Sequence, residues 1–199
     1  MAGLTLHLIR HPAPQIAPGI CYGQLDLPAE SAAPIAARLR AELPPHLPLW
    51  SSPLRRCREL ALALHPAPIF DERLREINFG AWEGRPWADI PRHELDAWAA
   101  DIANYTPPGG ESPSQLQHRA LAFIATLDTP EAMLVTHAGI IRALNAAAIG
   151  KPISACLDFS PAYGGRTVLR LNVRAVNAAA DSAAVAPGCR GKRRNQCQC

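Results

Sequence analysis

The sequence predicts an α/β domain in three layers, α/β/α, around a mostly parallel central sheet. Two observations predict it. Short apolar runs at residues 4–9, 47–50 and 132–135 have the length of buried strands. Segments with helical spacing stand between and after them, and strands that alternate with helices form a largely parallel sheet. Twenty prolines punctuate the loops and keep the helices short.

The elements follow in order. Residues 4–9 form the first strand, which ends at Arg10-His11-Pro12; Pro12, Pro14 and Pro18 then force an extended loop. Residues 30–43 put Ile35, Leu39 and Leu43 on one helical face, with Pro34 one turn inside. Residues 47–50 form a second strand, and Pro53 suits the first turn of a helix that runs to about Leu64. Pro66 and Pro68 stop that helix, and Ile69-Phe70 adds a short strand. Residues 73–113 read as an insertion with small helices of its own, clearest at 92–101, followed by the Pro107-Pro108-Gly109-Gly110 loop. Residues 114–126 are amphipathic, with Leu116, Ala120, Phe123 and Leu127 near one face. The strand at 132–135 ends at Thr136-His137, and a helix at 139–149 is closed by Gly150 with Pro152 beyond. Residues 166–173 alternate as a last strand. One domain therefore spans 1–173, and the alanine-rich, then basic residues 174–199 are expected to be a disordered tail.

Composition excludes several functions. The net charge is +3, but Arg190, Lys192, Arg193 and Arg194 all lie in the last ten positions. The rest of the chain carries 16 basic against 17 acidic residues, a net of −1, so no general basic bias points to nucleic acid. The apolar opening is too short for a signal-peptide core and is broken by His7, so no membrane association and a cytoplasmic location are expected. Cys197-Gln198-Cys199 has no partner at zinc-site spacing, so no metal site is assigned. A homodimer is compatible with the sequence, and no feature requires one.

The chemistry gathers at strand ends. His11 follows the first strand and His137 follows the strand at 132–135, and parallel sheets bind ligands at the carboxyl ends of their strands. The two histidines can thus share a crevice, and Arg56, near the start of the helix after the second strand, can reach it. Two histidines and two arginines suit a phosphate, because guanidinium forks match its oxygens. A neutral imidazole can attack phosphorus and hold the phosphoryl group covalently. Departure of the alcohol then needs a proton, and Glu76 is the natural donor.

Leu8-Ile9-Arg10-His11 resembles the signature of the histidine phosphatase superfamily, also called phosphoglycerate mutase-like. Ser51-Ser52-Pro53-Leu54-Arg55-Arg56-Cys57 is similar to the segment carrying the family's second phosphate-binding arginine, which falls on Arg56. Residues 74–84, with Phe79-Gly80-Ala81-Trp82-Glu83-Gly84, resemble the segment of its catalytic acid, which falls on Glu76. Val135-Thr136-His137-Ala138-Gly139 resembles its second histidine motif, and Gly110-Glu111-Ser112 with Arg119 the stretch before its penultimate helix. The resemblance covers residues 4–172 and implies a phosphoglycerate mutase-like fold. It implies that His11 accepts the phosphoryl group, that Arg10, Arg56 and His137 bind it, and that Glu76 serves as acid and then base, with no metal or cofactor. Pro12 stands where the family usually has glycine, and Ala17 where it often has asparagine.

The loop Gly19-Ile20-Cys21-Tyr22-Gly23-Gln24-Leu25-Asp26-Leu27-Pro28 resembles that of alpha-ribazole phosphatases, so Cys21, Tyr22 and Gly23 are candidates for substrate contact. The implied partner is a small-molecule phosphate ester, with alpha-ribazole 5′-phosphate, of cobalamin biosynthesis, first. The alternatives are a broad-specificity phosphatase, a phosphoglycerate-type mutase, and a catalytically silent phosphate-binding module. Several neighbours are read as bystanders. Arg55 and Arg58 point away from Arg56, and Glu83 is second to Glu76. His7 belongs to a sheet face, and His46, His65, His93 and His118 lie on loops or polar faces. Trp82, Trp87 and Trp98 are read as packing the insertion against the core, the more common fate of tryptophan, in preference to lining the substrate mouth, and Arg119 either anchors the Glu111 loop or makes a surface ion pair.

Overall fold

A computed structural model describes residues 3–44 and 46–172; the expected tail at 174–199 lies outside the described residues. The strands are β1 (Gly3–Arg10), β2 (Leu49–Ser51), β3 (Ile69–Phe70), β4 (Glu131–Thr136) and β5 (Arg166–Asn172), in the spatial order β3-β2-β4-β1-β5. The first four run parallel, and β5 lies antiparallel against β1. The helices are α1 (Ala32–Glu42), α2 (Arg55–Leu64), α3 (Arg92–Ala100), α4 (Pro113–Ile124) and α5 (Ala138–Ala148).

Period-2 alternation sorts the sheet's side chains into two cores. Leu4, Leu6, Leu8, Ala132 and Leu134 pack with Leu116, Ala120 and Phe123 of α4 and Ile140, Ile141 and Leu144 of α5. Ile9, Met133, Val135 and Leu49 face Ala36 and Leu39 of α1 and Cys57, Leu60 and Ala61 of α2. The three layers are thus α1 and α2, the sheet, then α4 and α5. His7 sits on the sheet, buried, with Nε2 2.7 Å from Glu131 Oε1.

Some boundaries differ from expectation. β2 begins at Leu49 and not at 47, since Pro48 offers only its carbonyl, taken by the Met133 N–H. α2 begins at Arg55, two residues past Pro53, because Ser52 is still extended and donates its N–H to the Val135 carbonyl. α4 starts at Pro113, one residue early. Ser112 Oγ accepts from the Gln115 N–H and Gln115 Oε1 accepts from the Ser112 N–H, a capping box with proline in the first turn. Pro34 does not kink α1, because it falls in the first turn, where its missing N–H has no partner to lose.

The insertion has an aromatic core of its own. Trp82 is fully buried, stacks with Tyr105, and meets Trp87 and Trp98 edge-on, while Trp87 and Trp98 stack on each other. No helix among the described residues is long and apolar enough to cross a membrane.

Candidate active site

Arg10 and Thr136 are register partners on β1 and β4, so the next residue on each strand, His11 and His137, emerges side by side. Their ring centroids are 5.0 Å apart and both are almost fully buried. His11 Nδ1 lies 2.6 Å from the Pro12 carbonyl oxygen. A carbonyl only accepts, so Nδ1 carries the proton and Nε2 keeps its lone pair. Burial, reinforced by the charges of Arg56 and Arg10 and partly offset by the Pro12 bond, lowers the His11 pKa to about 3. His137 is likewise pushed well below its ordinary value, by burial first and then by His11 and Arg56. Its Nε2 lies 2.8 Å from Ser52 Oγ and 3.4 Å from Cys57 Sγ, so the serine that delays α2 also positions this imidazole.

Two arginines flank the pair. Arg56 is fully buried and donates from Nη1 to the Leu25 carbonyl at 2.7 Å and from Nη2 to the Gly23 carbonyl at 2.6 Å. Arg10 donates to the Pro161 carbonyl at 2.6 Å and stacks on the Tyr163 ring at 3.7 Å. The buried Nε of each has no partner among the described residues. An unmet buried donor costs about 1–3 kcal/mol, and an anion between the guanidinium groups would satisfy both. Arg55 and Arg58 are exposed, as expected of helix neighbours pointing away.

Glu76 lines the same cleft, of about 230 Å³, with Arg10, His11, Tyr22 and Gly139. The Gly139 N–H, in the first turn of α5, donates to both Glu76 carboxylate oxygens at 3.1 and 3.2 Å. Its loop is tied down from two sides. Thr136 Oγ1 donates to the Leu74 carbonyl, and Arg119 donates to the carbonyls of Arg73, Arg75 and Glu76. Arg119 also holds Glu111 through two bonds, at 2.6 and 2.9 Å, with both side chains mostly buried. This pair is therefore an internal anchor and not a surface bridge. Glu83 is occupied elsewhere, accepting from the N–H groups of Gln24, Leu25 and Phe79.

The substrate-loop expectation needs correction at two residues. Cys21 turns away from the cleft into the insertion core beside Trp82, and burial pushes its thiol up to about 12. Gly23 acts through its carbonyl on Arg56; a Cβ there would meet the Ile77 carbonyl oxygen at 1.9 Å. Tyr22 alone of the three lines the cleft, with its hydroxyl 2.9 Å from that of Tyr163. Tyr163 and Arg142 were not expected from sequence. Tyr163 lies just before β5 with its ring 5.7 Å from His11, and Arg142 projects from α5 into the cleft. The i, i+3 step from Gly139 to Arg142 along α5 was the available signal for one; nothing local marks the other. Pro12, which departs from the usual pattern, supplies the carbonyl that fixes the His11 tautomer.

Residues 6–179 match the histidine phosphatase superfamily (branch 1). The chain is 36% identical over 160 residues to the glucosyl-3-phosphoglycerate phosphatase of Mycolicibacterium vanbaalenii, covering 70% of this chain and 67% of that protein. It is 29% identical over 134 residues to the adenosylcobalamin/alpha-ribazole phosphatase of Escherichia coli, covering 58% and 66%. The crystal structure of a phosphoglycerate mutase from Thermus thermophilus superposes with a TM-score of 0.68 at 31% identity, over 85% of this chain and 99% of that one. The chain belongs to the histidine phosphatase superfamily (branch 1), and it is a histidine-type phosphatase.

Proposed function

We propose that this enzyme hydrolyses a small phosphate monoester through a phosphohistidine on His11, and that its ester is alpha-ribazole 5′-phosphate. The observation that carries the mechanism is the Pro12 carbonyl on His11 Nδ1, which leaves Nε2 unprotonated between two arginines with unmet donors. In the first step Nε2 attacks phosphorus, the ester P–O bond breaks, and the Glu76 carboxyl gives its proton to the departing oxygen. In the second, water attacks the phosphohistidine, Glu76 takes the water's proton, and the P–N bond breaks to free His11 and inorganic phosphate. Arg10, Arg56 and His137 hold the phosphoryl oxygens through both steps. The resemblance of the loop at residues 19–28 and the E. coli relative support the ribazole ester. The higher identity to a glucosyl-3-phosphoglycerate phosphatase supports a second reading, in which that ester is the substrate.

The test is phosphate release from both esters and from 3-phosphoglycerate, by wild type and His11→Ala, with and without a bisphosphate activator. The proposal expects the ribazole ester to be cleaved fastest without activator, and the mutant to lose at least about 10³-fold in kcat. Preference for the glucosyl ester would replace the substrate and keep the mechanism. Equal release by both proteins would remove His11 as nucleophile.

A further inference from the structure

An apolar pocket of about 100 Å³ opens beside the catalytic cleft. Trp98, Ile102, Leu116, Ile153 and Leu157 form its walls. It draws on the insertion, on α4 and on the segment after α5, which meet here. Ile77, Phe79, Gly139 and Arg142 line both the pocket and the cleft, so the two spaces adjoin across these four residues.

The direction of the chemistry selects this pocket. In phosphoryl transfer the attacking and leaving atoms stand roughly in line on opposite sides of phosphorus. His11 Nε2 attacks from one side, so the leaving oxygen faces the group that protonates it. That group, Glu76, is bonded to the Gly139 N–H, and Gly139 and Ile77 form the threshold of the apolar pocket. The body of the alcohol therefore passes Glu76 and enters between Phe79, Trp98 and Leu157. An engineered dry cavity of about 150 Å³ takes a benzene molecule; this pocket, at about 100 Å³, is smaller but open on one side, and suits at most a single ring. Among the described residues Arg142 is the one charged group on its lining, and its Nε is held by the Phe159 carbonyl. A polyhydroxylated alcohol would leave hydroxyls unpaired against the remaining walls.

We infer that this pocket is a leaving-group subsite that selects phosphomonoesters of alcohols bearing an apolar ring. The inference rests on the phosphatase reading of the cleft, and of the two esters above it favours the ribazole ester, whose alcohol carries an aromatic ring, over the polyhydroxylated glucosyl ester.

Benzyl phosphate and glycerol 3-phosphate test it, because their alcohols have comparable acidity and differ chiefly in apolar bulk. A single methylene in an apolar pocket is worth about 10–200-fold, so kcat/KM is expected to favour the benzyl ester by at least about 10-fold. Ile102→Trp, which fills the pocket, and Leu157→Asn, which makes it polar, are each expected to lower that ratio toward one, mainly through KM. Binding of benzylphosphonate against methylphosphonate, followed by calorimetry, reads the subsite without turnover. Equal kcat/KM for the two esters, or a ratio that both folded variants leave unchanged, would overturn the subsite and leave the phosphatase standing. No release from either ester, with benzylphosphonate still bound at least about 10-fold more tightly than methylphosphonate, would support the subsite and sink the mechanism.

Discussion

Gly139 is where the second histidine motif touches the carboxylate. A Cβ on it would stand 2.2 Å from Glu76 Oε1 and 3.3 Å from the carboxyl carbon. The obstruction is the end of a flexible side chain, so Gly139→Ala is expected to fold and to turn Glu76 out of the cleft. General acid–base catalysis contributes about 10²–10⁴-fold, so kcat is expected to fall by about 10²-fold or more while the urea midpoint shifts little. Steady-state kinetics beside urea unfolding read both, and an unchanged kcat would take Glu76 out of the proton path. The same scale shows what spacing alone can and cannot supply. That His11 and His137 emerge side by side was readable, because each stands one residue past the end of an adjacent strand. Cys21 was misplaced because whether a loop side chain faces the cleft or the insertion depends on Trp82, sixty-one positions away, and not on its neighbours.

At the scale of elements, the unit that positions Glu76 is α4 together with the loop it restrains. Arg119 reaches five acceptor atoms: both Glu111 carboxylate oxygens and the carbonyls of Arg73, Arg75 and Glu76. A lysine keeps the charge and cannot serve that fork. Arg119→Lys is expected to cost about 1–3 kcal/mol, as buried carbonyls lose their donors, and to lower kcat by about 10-fold as the Glu76 loop loosens. A variant matching wild type in urea unfolding and kcat would make the network incidental to catalysis. The strands and helices were legible in the sequence to within two residues, since apolar runs and prolines delimit them directly. Their shifts follow from bonds made across the sheet, such as the Ser52 N–H to Val135, which no local pattern contains. The sheet order and the contact of Tyr163 with Arg10 are likewise products of long-range pairing. The Arg119 and Glu111 segment was visible as a motif, and its grip on the Glu76 loop needed the fold.

For the whole molecule, the cost of this site is borne by the central sheet. His11 and His137 sit at the ends of adjacent strands, buried, neutral and close to two guanidinium groups. In the unfolded chain a histidine takes its proton near pH 6.5; in the folded chain His11 takes it only near pH 3. Across that window the unfolded state holds the extra proton, so stability is fully present above about pH 6.5 and is lost as pH falls toward 3. Each such histidine contributes a slope of up to about 1.4 kcal/mol per pH unit. His11→Asn removes one of the two, so the slope of unfolding free energy between pH 6 and pH 4, measured by urea titration, is expected to drop by about 1 kcal/mol per unit. Identical slopes would mean that His11 is already charged in that range in the free enzyme, and the neutral-nucleophile argument would fail with it. Because both imidazoles are anchored in β1 and β4 and not in a detachable loop, acid is expected to act on the sheet as a whole. Far-ultraviolet circular dichroism and tryptophan fluorescence would then report one coincident transition, whereas an earlier fluorescence change would place the loss in the Trp-rich insertion instead.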